Sequence, residues 1–215
     1  ILQDYLDVVI LRDVVERHGI SNTVALRYLI RHLLGSPAGL FSVNRFYNDL
    51  RSRGIAVSKD TLHGYLDHLT DAYLFFQVPI HTASERQRHV NPRKVYAIDP
   101  GLVHACGTPR SPDWGHLLET FVFLNLRRQR IETDYYRTKT GREIDFVTLD
   151  PKGQRHLIQV CADMYASTTR NREITALGEA MEETGVRDAL IITLDEDKTV
   201  QIPAGTIRMV PAWRW

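Results

Sequence analysis

Apolar residues in the first third of the chain recur every three or four positions. In much of the second half they alternate or run together, and this change of period divides the chain. Leu2, Leu6, Val9, Ile10 and Val14, then Leu26, Leu29, Ile30 and Leu33, fall on one face of successive helical turns, so residues 1–34 read as helix. The run breaks at 18–22, where Gly19 suits a helix end and Ser21 or Asn22 the next start. Residues 35–39, Gly-Ser-Pro-Ala-Gly, close the second helix. Ser42 then caps a helix carrying Val43, Phe46, Tyr47 and Leu50. A turn at 54–57 leads to Ser58, which caps another with Leu62, Tyr65, Leu66 and Leu69. Two capped helices about a short glycine turn form a helix-turn-helix. Residues 73–78 and 94–99 read as strands around a polar, basic excursion at 81–92. The whole predicts a winged helix over 35–107.

The stretches 99–102 and 107–112 are the richest in Gly and Pro, which places a domain boundary near residue 108. A long helix with Leu117, Thr120, Phe121, Leu124 and Leu126 follows Asp113 and ends in Arg127-Arg128-Gln129-Arg130, cations that suit a helix C-terminus. Strands are expected at 134–137, 141–147 and 157–161, a helix at 171–184, and strands at 189–194 and 206–210. Helix, three strands, helix, strand over 108–215 is an α/β sandwich on a central mixed sheet, so the chain as a whole is α/β, or α+β. Trp213 and Trp215 are expected to pack against that sheet.

Composition narrows the class. A hydrophobic share of 43% with 25% charged residues suits a globular chain of one or two domains. A net charge of +1 gives no global field that demands nucleic acid. Two cysteines without a CxxC spacing argue against zinc and disulfides and point to a reducing cytoplasm. No apolar run reaches membrane-spanning length, so no membrane partner is expected. The opening at Ile1, already in an amphipathic pattern, reads as part of a longer polypeptide. Neither a phosphate-binding Gly-rich loop nor a Walker B strand occurs, so this stretch does not hydrolyse ATP by that route.

Candidate chemistry gathers at 141–147 and 157–161. Residues 151–154, Pro-Lys-Gly-Gln, make these strands a hairpin, with Asp145 and Gln159 facing a common volume that Glu119 of the preceding helix can join. Glu119, Asp145 and Gln159 are then the catalytic set. Glu119 and Asp145 supply the carboxylates of a magnesium site, hard oxygen ligands around a small hard cation. Nucleic-acid contacts are expected from Lys59 and His63 on the second capped helix, Arg86, Arg88 and Arg93 of the wing, and Lys139 in a turn. Asp60 and Asp67 oppose phosphates on that same helix. Arg12 is a candidate for contacting nucleotide or an adjoining module.

These residues also carry a resemblance. Glu119, Asp145 and Gln159-Val160-Cys161 stand where the restriction-endonuclease-like, or PD-(D/E)XK, nucleases have a helix carboxylate, a strand Asp and a Glu-x-Lys or Gln-x-Lys. The whole chain resembles the C-terminal region of a large prokaryotic family of AAA-type ATPases, in which a winged helix and a nuclease-like domain follow the ATPase and its lid. The marks are Leu11-Arg12-Asp13, Ser58-Lys59-Asp60-Thr61 with Tyr65-Leu66, the run Lys94 to Leu102, Gly115 to Glu119, Gly141 to Phe146, and Val210-Pro211-Ala212-Trp213. The resemblance implies that residues 1–34 are the tail of an ATPase lid and that ATP is bound only upstream.

The chain departs from the family's Glu-Val-Lys at 159–161. An amide brings no negative charge to a magnesium ion, and Cys161 brings no ammonium to developing phosphate charge. Lys139 and Arg142 are the nearest cations in sequence that could replace it. The expectation is therefore a non-catalytic binding and regulatory region that senses nucleic acid or a partner protein for its own ATPase module. The alternatives are a metal-dependent DNA nuclease and a structural module that forms homo-oligomers.

Overall fold

Capping and apolar spacing build the first elements. α1 (Leu2–Val9) continues into a π-helical stretch (Ile10–Glu16), and Gly19 turns the chain with φ of +60°. Asn22 caps α2 (Thr23–Gly35), its side chain accepting the Ala25 N–H at 3.1 Å. The computed structural model describes residues 2–106, 113–150 and 152–215. The expected boundary stretch 107–112 and Pro151 of the hairpin turn lie outside the described residues.

The chain divides into two compact units, 1–77 with 92–112, and 78–91 with 113–215. In the first, β1 (Leu40–Phe41) precedes α3 (Val43–Ser52) and α4 (Lys59–Asp71). Ser42 accepts the Arg45 N–H at 3.4 Å and Ser58 the Thr61 N–H at 3.0 Å, so both predicted caps form. β2 (Phe75–Val78) is followed by a short helix, α5 (Glu85–Val90), where sequence suggested only a polar loop; Ser84 caps it. β3 (Arg93–Ala97) completes a sheet ordered β1-β3-β2. Leu26, Leu29, Leu50, Leu62 and Leu69 are shut from solvent in this unit's core. α6 (Pro100–Cys106) replaces the loop expected after Asp99. Pro100 occupies the first helical position, where its missing N–H costs nothing, and the Asp99 carboxylate accepts the Gly101 N–H at 2.6 Å.

In the second unit Asp113 caps α7 (Trp114–Arg128), accepting the His116 N–H at 3.2 Å. Then come β4 (Thr133–Arg137), β5 (Glu143–Leu149), β6 (Arg155–Val160), α8 (Ser167–Thr184), β7 (Asp188–Thr193), β8 (Lys198–Ile202) and β9 (Gly205–Pro211). The sheet order is β4-β5-β6-β7-β9-β8, parallel at β6/β7 and β7/β9 and antiparallel elsewhere. This is the expected mixed sheet with helices, plus the edge strand β8, whose polar Lys198-Thr199-Val200-Gln201 gave little apolar signal.

Residues 79–81 extend the sheet beyond β4. Tyr135 N–H donates to the Pro79 carbonyl at 3.0 Å and His81 N–H to the Tyr135 carbonyl at 2.6 Å. The exposed edge of β4 is thereby covered. Trp213 corrects the expected packing of the C-terminus: it is 78% exposed, because β9 ends at Pro211 and a turn carries the chain off the sheet. Among the described residues no helix is long and apolar enough to cross a membrane.

Candidate functional site

The site lies where the β5–β6 ladder ends. Backbone pairing runs from Leu149↔Arg155 to Phe146↔Ile158, and the next residues along are Asp145 and Gln159. There the side chains take over. Asp145 N–H donates to Gln159 Oε1 at 3.1 Å, and Val160 N–H donates to Asp145 Oδ2 at 2.8 Å. Two backbone donors that would otherwise be stranded in the interior are satisfied reciprocally. Sequence reasoning brought Asp145 and Gln159 together, and the structure does so.

It adds two residues that sequence reasoning missed. Gln159 Nε2 donates to Glu173 Oε2 of α8 at 2.9 Å, and Glu173 Oε1 accepts from Arg172 Nε at 2.9 Å and Nη2 at 2.6 Å. The Glu173 side chain is only 7% exposed and that of Arg172 67%, so the chain of contacts runs from the interior to solvent. The signal was present: Glu173 shares the helical spacing of Ala176, Leu177 and Ala180, all buried. A carboxylate on the apolar face of a helix requires a partner inside.

Glu119 is buried on α7, whose Phe123 stacks on Phe146 of β5 with ring centroids 6.4 Å apart. Asp145 and Glu119 are the two carboxylates expected from the sequence to hold magnesium. Among the described residues, however, no group of three or more His, Cys, Asp or Glu is disposed to hold a metal ion. Cys161 is buried and free, its thiol pushed up to about 11 by burial and then by the charge of Glu173. It is therefore a neutral group where the nuclease pattern has an ammonium. Arg142 Nε is held by Glu179 at 3.0 Å, and the Lys139 backbone N–H by Glu183 at 3.0 Å, so α8 fixes the 138–142 turn. Arg172 is the guanidinium that enters the hydrogen-bonded network around Asp145.

The expected nucleic-acid residues are dispersed. Lys59 and His63 are exposed one turn apart on α4, and the Lys59 ammonium sits 5.3 Å from the Tyr47 ring centroid. Arg93 Nη1 donates to Gln77 at 3.2 Å. Arg86 and Lys139 are exposed, both in the second unit. Arg88, also there, forks onto Asp134 at 2.9 and 3.1 Å, and His81 Nδ1 joins the same carboxylate at 3.1 Å. Burial raises the Asp134 pKa, but the hydrogen bonds and charges of His81 and Arg88 outweigh it and leave the net shift downward. Arg12 is exposed and pairs with its neighbour Asp13 at 3.1 Å.

Residues 1–112, just over half the chain, match the family described as a domain of unknown function (DUF8612). The chain belongs to the DUF8612 family. Beyond this DUF8612 portion, residues 114–215 match a second domain of unknown function, DUF4143, and this match contains every member of the Asp145 network. An uncharacterized protein of Methanocaldococcus jannaschii is 31% identical over 224 residues, covering all of this chain and 49% of that protein. An uncharacterized protein of Haemophilus influenzae is 28% identical over 148 residues, 68% of this chain and 36% of that protein. The chain thus spans half or less of the length of these relatives.

Proposed function

We propose that this chain is a non-catalytic binding and regulatory region of an AAA-type ATPase, built from a winged helix and a degenerate nuclease-like domain. The observation that carries this reading is the contact from Gln159 Nε2 to Glu173. Gln159 accepts from Asp145 N–H with one end of its amide and donates to a second buried acid with the other. The Gln159 amide is thus committed at both ends and the Asp145 carboxylate accepts from Val160 N–H, with the thiol of Cys161 in the position of the lysine. α3, α4 and the β2–β3 strands support the winged-helix part, and exposed Lys59 and His63 are its candidate contacts to nucleic acid or a partner protein. The length by which the relatives exceed this chain is room for the ATPase module.

The test is a magnesium and manganese titration of the folded protein with plasmid cleavage assayed in the same tubes, for the wild type and Asp145→Ala. Neither binding nor nicking is expected. Saturable binding with nicking, both lost in Asp145→Ala, would make this a metal-dependent nuclease instead. A salt series on DNA affinity separates the reading from a purely structural oligomerisation module, because phosphate contacts weaken steeply with salt and subunit contacts do not.

A further inference from the structure

We propose that a cavity of about 250 Å³ above β4 and β5 receives one unpaired nucleobase, guanine by preference. The proposal rests on the nucleic-acid reading above and names what would be recognised. His81, Arg88, Glu132, Thr133, Asp134, Val147 and Leu149 line the cavity, all within the second unit. The volume falls below the ~300–1,000 Å³ of sites for drug-sized ligands, so it suits a single ring system.

Its chemistry selects the ligand class. One guanidinium faces two carboxylates, and His81 adds at most one more positive charge, so a free phosphate or other small anion gains little here. Leu149 of β5, 47% exposed, offers an apolar floor, while Val147, two residues before it on the same face, is itself buried in the core. The rim carries both donors and acceptors. Asp134 engages two of the five N–H groups of Arg88 and only one ring nitrogen of His81, so both residues keep donor or acceptor capacity at the cavity while Asp134 holds them in place. Exposed Glu132 is a carboxylate acceptor beside them. A flat ligand with an apolar face, acceptors on one edge and donors on the next meets all of these demands. Guanine has that pattern: O6 and N7 suit an arginine, and its amino group suits a carboxylate.

Asp145 occupies the same alternating face of β5 as Val147 and Leu149, about 7 Å along the strand from Val147 at some 3.4 Å per residue. A single strand crossing the degenerate nuclease-like site can therefore present a base to this cavity.

The test uses the full chain and fluorescein-labelled single-stranded thymine octamers carrying one central guanine, adenine or abasic position, read by anisotropy. The guanine octamer is expected to bind about tenfold tighter than the abasic one, as base stacking with edge contacts allows. Glu132→Gln, at an exposed position, should bring the guanine and abasic octamers to equal affinity. Equal affinity for the guanine and abasic octamers overturns the pocket while the nucleic-acid reading stands. Binding by no octamer, with free guanosine still shifting the His81 ring resonances, upholds the pocket for a nucleoside and overturns the nucleic-acid reading. Silence in both arms overturns both.

Discussion

Gln159→Glu places a carboxylate opposite Glu173 and tests how the site is held together. In the native chain Gln159 Nε2 donates to Glu173 at 2.9 Å; the substitution leaves two carboxylates facing each other there, beside Asp145. Coulomb repulsion at that separation is about 6 kcal/mol at an effective dielectric of 20. Keeping the new carboxyl protonated at about pH 7.5 costs less, about 4 kcal/mol from an ordinary glutamate pKa near 4.3. Neutralisation therefore wins and caps the loss, and the protonated group can donate to Glu173 in place of the amide. The new acid has a raised folded-state pKa, so it destabilises only above its unfolded pKa. The loss should be about 3–4 kcal/mol at about pH 7.5 and should fade as pH falls through about 4.3. Urea unfolding in EDTA at both pH values, compared with the wild type, measures it. A loss below about 1 kcal/mol that does not change with pH would refute the contact to Glu173 as the tie that closes the site.

Three further outcomes follow from single contacts. Gly205 has φ of +145° and an added Cβ would lie 2.1 Å from the Arg187 carbonyl oxygen, so Gly205→Ala should cost more than about 3 kcal/mol in urea unfolding. Asp134→Asn weakens the hold on His81 and Arg88 and should cost about 1.5–3 kcal/mol near neutral pH. Because the folded pKa of Asp134 is depressed, its contribution is present above about pH 4 and lost as pH falls through the folded value, so the variant's deficit should shrink in acid. Cys161, with its thiol pushed up to about 11, should alkylate on the order of a hundredfold more slowly at about pH 8 in the native state than in urea, measured in a Cys106→Ser background.

What could be read from the sequence was whatever local chemistry decides. Asn22, Ser42 and Ser58 cap helices because a short side-chain oxygen beside a helix start has few better uses. The 141–147 and 157–161 strands and their register follow from alternation and the Asp150-to-Gln154 turn, in which Gly153 takes φ of +77°. Non-local features were not legible. Whether Arg88 meets phosphate or a carboxylate depends on Asp134, 46 residues away, and the 78–91 segment's place on β4 depends on Tyr135. α6 was missed because Pro-Gly reads as a turn until Asp99 is seen capping it. Glu173 is not marked by the strand motifs, because its burial follows from the helix-face spacing it shares with Ala176, Leu177 and Ala180.

The amide at position 159 links two buried acidic residues through hydrogen bonds. A divalent cation would stabilise Asp145 and Glu173 by charge. Gln159 instead ties the Asp145 backbone to the Glu173 carboxylate, accepting from Asp145 N–H and donating to Glu173, a combination that an ionised carboxylate cannot make. Arg172 supplies the compensating positive charge from the rim, with two donors on Glu173 Oε1. Val160 N–H supplies a further donor to Asp145. A metal entering here would have to displace Gln159 from Glu173 and shed its own water for a site in which Arg172 already offsets one of the two acids. That competition is the physical reason to expect a flat magnesium titration.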